Sequence, residues 1–195
     1  MWPWGHLAVG YLAYRVFAGI ANRWPPTRTT MGVLIVSTQL PDLVDKPLAY
    51  SFSVLPEGRA LMHSLLVALP VCLYVLALYG VQSDTGRAFT IGYLSHLLGD
   101  SYRSLLAGQW ADVSFLLWPL YPPPDYSANG FGVHWEQLLA AIGDITVAGV
   151  FTGDLPMMVY QVVLAGVVVL WWLYEGAPGI RTTDTHARDE PRIGN

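Results

Sequence analysis

An all-α, multi-pass transmembrane bundle of about five spanning helices plus one interfacial helix is the fold class this sequence predicts, on three observations. Hydrophobic residues make up 53% of the chain and charged residues 12%, about half the roughly 25% charge of a soluble domain. Mean hydropathy is +0.40, so lipid must coat what polar side chains do not. Several apolar runs also approach the ~20 residues that a helix needs to cross hydrocarbon. Finally, the few charged and imidazole groups within those runs fall near the same end of each once the runs are threaded in order.

Leu155 to Tyr174 holds no charged residue and is the clearest span. Leu61 to Gly80 follows, interrupted only by His63, Ser64 and Pro70. Ala88 to Ala107 holds His96, Asp100 and Arg103, and Gly5 to Asn22 holds His6 and Arg15. Thr29 to Leu40 is shorter and is expected to stop at Pro41-Asp42, so it spans only with extended ends or a thinned bilayer. Phe131 to Phe151 is weakened by Glu136, Gln137, Asp144 and its glycines and is expected to be a helix at the interface or packed against the bundle. The run from Trp118 to Asp125 is too rich in proline for a helix and reads as a rigid loop with interfacial aromatics. From Glu175 the chain turns polar, which divides it into a membrane-embedded unit, 1–174, and a disordered tail, 175–195. The opening Met1-Trp2-Pro3-Trp4-Gly5-His6 lacks the basic start of a signal peptide, so the first helix is expected to be retained.

Arg23, Arg28, Arg87 and the tail arginines fall on one side of this topology, and Lys46, Arg59 and Arg103 on the other. The positive-inside rule then sets the amino terminus outside and the tail in the cytoplasm of a plasma-membrane protein. A net charge of −4 argues against nucleic acid as a partner. Cys72, the single cysteine, excludes an internal disulfide and reads as a buried apolar thiol.

A charge at the middle of a spanning helix costs about 2.5–3.5 kcal/mol on insertion scales, so retained ones point to function. His6, Asp42, Asp45, Arg59, His63, His96 and Asp100 all fall in the non-cytoplasmic half of the expected bundle. His96 and Asp100 are i,i+4, as are Arg59 and His63, so each pair shares a helix face. Three imidazoles with two or three carboxylates suit zinc or a similar divalent ion. The bland readings are interfacial placement for His6, turn and cap roles for Asp42 and Asp45, and a hydrogen-bonded bundle histidine for His63. Arg59 and Arg103 also fit snorkelling to headgroups. His134 and Glu136, at i,i+2, do not share a helix face.

Trp4-Gly5-His6, Gln39-Leu40-Pro41-Asp42-x-x-Asp45, Arg59-x-x-x-His63-Ser64 and Gly92-Tyr93-Leu94-Ser95-His96-Leu97-Leu98-Gly99-Asp100 resemble the YdjM-type membrane-bound metal-dependent hydrolases, in order and spacing, over about residues 5–120. That family is in turn distantly similar to zinc-dependent phospholipases C and single-strand nucleases. The resemblance implies His6, Asp42, His63, His96 and Asp100 as metal ligands. Family members commonly read His-Arg-Gly-x-Thr-His-Ser where this chain has Gly58-Arg59-Ala60-Leu61-Met62-His63-Ser64, and the later His-x-x-x-Glu element of the soluble enzymes is not found. The remaining ligands therefore support one or two ions, zinc being the expected metal.

The expected function is hydrolysis of a phosphoester or lipid headgroup at the outer face. Asp45 is the candidate base or orienting residue, and Arg59 the phosphate-binding one. The expected partners are the bilayer and a phospholipid or other phosphoester substrate. The rivals are a transporter or ion-handling protein, which predicts polar residues continuing through the cytoplasmic half, and a non-catalytic scaffold with a decayed metal site.

Overall fold

The computed structural model describes residues 1–124, 139–140 and 156–180, and among these the fold is helical with no β-strand. Five α-helices are described: α1 (Pro3–Ile20), α2 (Arg28–Lys46), α3 (Leu65–Tyr79), α4 (Asp84–Leu106) and α5 (Met157–Tyr174). A π-helical turn, Pro47–Ser51, continues α2, and a 3-10 helix, Trp110–Leu117, follows α4. The expected interfacial helix, 131–151, lies outside the described residues apart from Leu139 and Ala140, as do His134, Glu136 and the tail beyond Ile180.

Local chemistry sets the helix starts. Pro3 opens α1, where a missing N–H costs nothing. Thr27, Ser64 and Ser83 cap α2, α3 and α4, their hydroxyls accepting from Thr30 N, Leu66 N and Gly86 N. The Ser64 cap makes α3 begin four residues later than the expected Leu61 and leaves His63 in the preceding loop.

Two expectations are corrected. Arg59 and His63 lie in the loop before α3 and not on one helix face, because the helix starts only after the Ser64 cap. The second helix does not stop at Pro41 but runs through it to Lys46. An internal proline removes the bond to the carbonyl four residues back and kinks the helix. Here α2 packs along α4, its most extensive helical neighbour, and that burial holds the turn in place. The extra residues carry Asp42 and Asp45 on a regular helix instead of a loop.

At the centre α4 touches α1, α2, α3 and the 3-10 helix. Close approach to α2 depends on Gly92. A Cβ there would run into Ser37 Oγ and sit 3.0 Å from the Leu34 carbonyl oxygen. The core between the helices is built from Tyr14, Leu34, Ala88, Tyr93 and Phe115, all buried. The outward face carries exposed Ile20, Val36, Leu73, Leu98 and Leu170.

Among the described residues α5 alone is both long and apolar enough to count as a membrane span, and α3 is apolar but shorter. α1, α2 and α4 are less apolar because they carry the polar side chains turned into the bundle. α5 runs alongside α1: Gln161 Oε1 accepts from Trp2 N at one end, and Glu175 accepts from Tyr11 and Arg15 at the other. Arg103 at the end of α4 meets Met157 at the start of α5, so the chain leaves α4 and enters α5 at the same end of the bundle.

Candidate metal centre

The start of α1, the end of α2, the loop before α3 and the last turns of α4 meet at one end of the bundle. Asp42 comes from α2, His63 from the loop, and His96 and Asp100 from α4. One ligand atom from each of these four lies within 4.8 Å of the other three. The two Nε2 atoms are 3.1 Å apart. Asp42 Oδ1 stands 3.5 Å from His63 Nε2 and 3.8 Å from His96 Nε2, and Asp100 Oδ2 stands 3.6 and 3.9 Å from the same atoms. Zinc bonds of about 2.0–2.1 Å in tetrahedral geometry separate ligand atoms by about 3.4 Å. The observed edges bracket that value.

Each imidazole is held from behind. His96 Nδ1 lies 2.7 Å from the Thr38 carbonyl oxygen. A carbonyl only accepts, so Nδ1 carries the hydrogen and Nε2 is left for a cation. His63 Nδ1 lies 2.8 Å from Asp45 Oδ2, which fixes His63 the same way. Carboxylate or carbonyl partners of this kind orient metal-ligating histidines and raise their basicity. Asp45 is fully buried and also accepts from the backbone N–H groups of Ala60, Met62 and His63. It shapes the loop and aims the ring together. Tyr93 donates to the Met62 carbonyl at 2.8 Å and pins the same loop from α4.

The carboxylates are similarly arranged. Lys46 Nζ donates to Asp42 Oδ2 at 2.7 Å, while Asp42 Oδ1 is buried with no hydrogen-bond partner among the described residues. Arg59 Nε bonds Asp100 Oδ2 at 3.0 Å, and the Met1 amino group contacts Oδ1. An orphaned buried carboxylate oxygen is costly unless something cationic meets it. Two imidazole nitrogens aimed at the same point reinforce that demand, so the residues present fit a divalent ion.

His6 stands just outside this group of four. It is buried, stacks on His96 with centroids 3.7 Å apart, and holds Nε2 3.3 Å from Asp100 Oδ1. Neither ring nitrogen makes a hydrogen bond among the described residues.

Sequence reasoning did not single out Thr38, Phe115 or Tyr50. The Thr38 carbonyl carries no sequence signal except its position one turn before an intrahelical proline. Phe115 is buried beside His63 and lies under Arg59. Tyr50 accounts for Gly58: a Cβ at position 58 would fall 2.5 Å from its hydroxyl oxygen and 2.7 Å from its ring. The tyrosine fills the place where a longer side chain at 58 would start.

A family model described as YdjM inner membrane protein matches residues 1–177. No curated protein and no solved structure matches the chain.

Proposed function

We propose, from the premise that this chain belongs to the YdjM inner membrane protein family, that it is a multi-pass metal-dependent hydrolase acting on a phosphoester. The observation that carries this reading is the meeting of Asp42, His63, His96 and Asp100 donor atoms within 4.8 Å, with both imidazoles held by partners behind them. These four residues would hold one divalent ion, zinc by donor chemistry. Such an ion supplies Lewis acidity and brings the pKa of water toward about 7. Asp45 holds His63 in its tautomer, and its own oxygens are occupied by backbone N–H groups, which suits an orienting role. Arg59, joined to Asp100 at the edge of the group, is placed to meet a phosphate oxygen, which guanidinium matches in geometry.

The exposed apolar side chains on every helix support a multi-pass bundle, since a soluble monomer rarely exposes such a surface. Arg23, Arg28 and Arg87 at the end away from the metal residues support a site on the non-cytoplasmic side. A transport pathway would need polar groups continuing toward that end. Arg15, on α1 toward that end, is instead bonded to Glu175 and lies over Trp24.

The test is elemental analysis of the protein in mild detergent, beside hydrolysis of a chromogenic phosphodiester. Wild type should carry about one metal per chain, and Asp100→Asn should lose it while inserting normally, because the amide lacks the anionic donor. Equal metal content in the two proteins would end the proposal.

A further inference from the structure

Beside Asp100, on the side away from His63, a cavity of about 390 Å³ opens between α4, α5 and the loop before α3. Its walls include Arg59 and Arg103, with Ser104, Gln109 and Gln161 as further polar groups. Arg103 is one turn beyond Asp100 on α4, so the two share a helix face. Snorkelling would account for Arg103 if its guanidinium simply reached for headgroups. Instead it lines the same cavity as a metal-site carboxylate, and among the described residues it donates to the Met157 thioether, a weak acceptor. The Arg59 guanidinium is anchored to Asp100 through Nε and lines the same wall. Two guanidiniums lining one polar cavity next to a metal centre match an anion with several oxygens, and guanidinium pairs with phosphate in a bidentate way.

We propose that this cavity is an anion subsite in which Arg103, with Arg59, binds the phosphoryl group of the substrate and selects for negative charge. The inference rests on the hydrolase reading for its role, but the subsite itself needs only the two arginines and the cavity. The phosphoryl group is carried either by a lipid headgroup or by a soluble phosphoester, since the recognising chemistry is the same.

Titration of inorganic phosphate into the zinc-loaded protein by calorimetry tests it, with metal content measured on every sample. Arg103→Gln should weaken phosphate binding by about tenfold or more, the weight of one charge-assisted hydrogen bond. Metal content should not change. Arg103→Lys should recover part of the loss, because it restores charge without the fork. Nanodiscs separate the two sources. Phosphate binding suppressed by phosphatidylglycerol relative to phosphatidylcholine alone identifies a lipid headgroup as the occupant, and equal binding in both identifies a soluble one. If wild type holds no metal yet binds phosphate in an Arg103-dependent way, the hydrolase falls and the subsite stands. Unchanged phosphate affinity in Arg103→Gln overturns the subsite, whatever the metal content.

Discussion

Asp45 makes the sharpest residue-level prediction, because its carboxylate does two jobs at once. It takes three backbone N–H groups of the loop and the Nδ1–H of His63. Asp45→Asn retains one acceptor oxygen but turns an amino group toward donors that cannot receive it. Metal affinity should fall about 10–100-fold, as for other partners behind a ligand, and some stability should be lost with it. Competition with a fluorescent chelator measures the first effect. An unchanged affinity would mean that His63 is not a ligand through Nε2. Arg59→Lys is the contrasting change. It should leave metal content near wild type and raise KM for a phosphoester, since lysine keeps the charge without the bidentate geometry. A loss of metal in that variant would show that Arg59 serves the centre by holding Asp100 and not by holding substrate.

Among the helices, the meeting of α2 and α4 decides whether the ligands converge. Asp42 rides on one, and His96 and Asp100 on the other. Gly92 lets them approach, and Thr38 O on α2 receives the His96 ring. Gly92→Ala adds a methyl against a backbone carbonyl, and overpacking of this kind costs about 1–3 kcal/mol. The variant should melt lower in detergent than wild type and bind metal more weakly, because the helices that separate carry ligands of the same ion. A lower melting temperature with undiminished metal affinity would show that the site tolerates movement between α2 and α4. Gly58→His, by contrast, should not add a ligand here, since Tyr50 occupies the required space.

Across the whole molecule, the proposed ion ties α2, α4 and the loop before α3 into one unit, and binding to the folded state alone must stabilise it. At a free metal concentration of 100 times Kd the gain is about 2.7 kcal/mol. Zinc should therefore raise the melting temperature of wild type in a concentration-dependent way and leave Asp100→Asn unmoved. A shift of equal size in the variant would mean that the ion binds elsewhere. Topology is tested after Cys72→Ser by single cysteines at Glu57 and in the tail. An impermeant thiol reagent applied to intact cells should label the first and spare the second. Labelling of the tail would reverse the proposed orientation.

Composition together with the length of the apolar runs pointed to a helical membrane protein, because too few charges exist to coat the chain with water and the runs approach the length of a spanning helix. The motif residues and their i,i+4 spacings also marked His96 with Asp100, since two groups on one helix face are set by local geometry. What spacing cannot encode is how separate helices face one another. Tertiary packing decided that α2 continues through Pro41, because burial against α4 outweighs the lost bond. It also brought Thr38 O behind His96, set Asp45 behind His63, and left His6 stacked beside the group of four instead of within it. Gly58 reads in the sequence as a missing histidine. Only the structure shows Tyr50 in its place, because two residues eight positions apart compete for one volume that neither announces by itself.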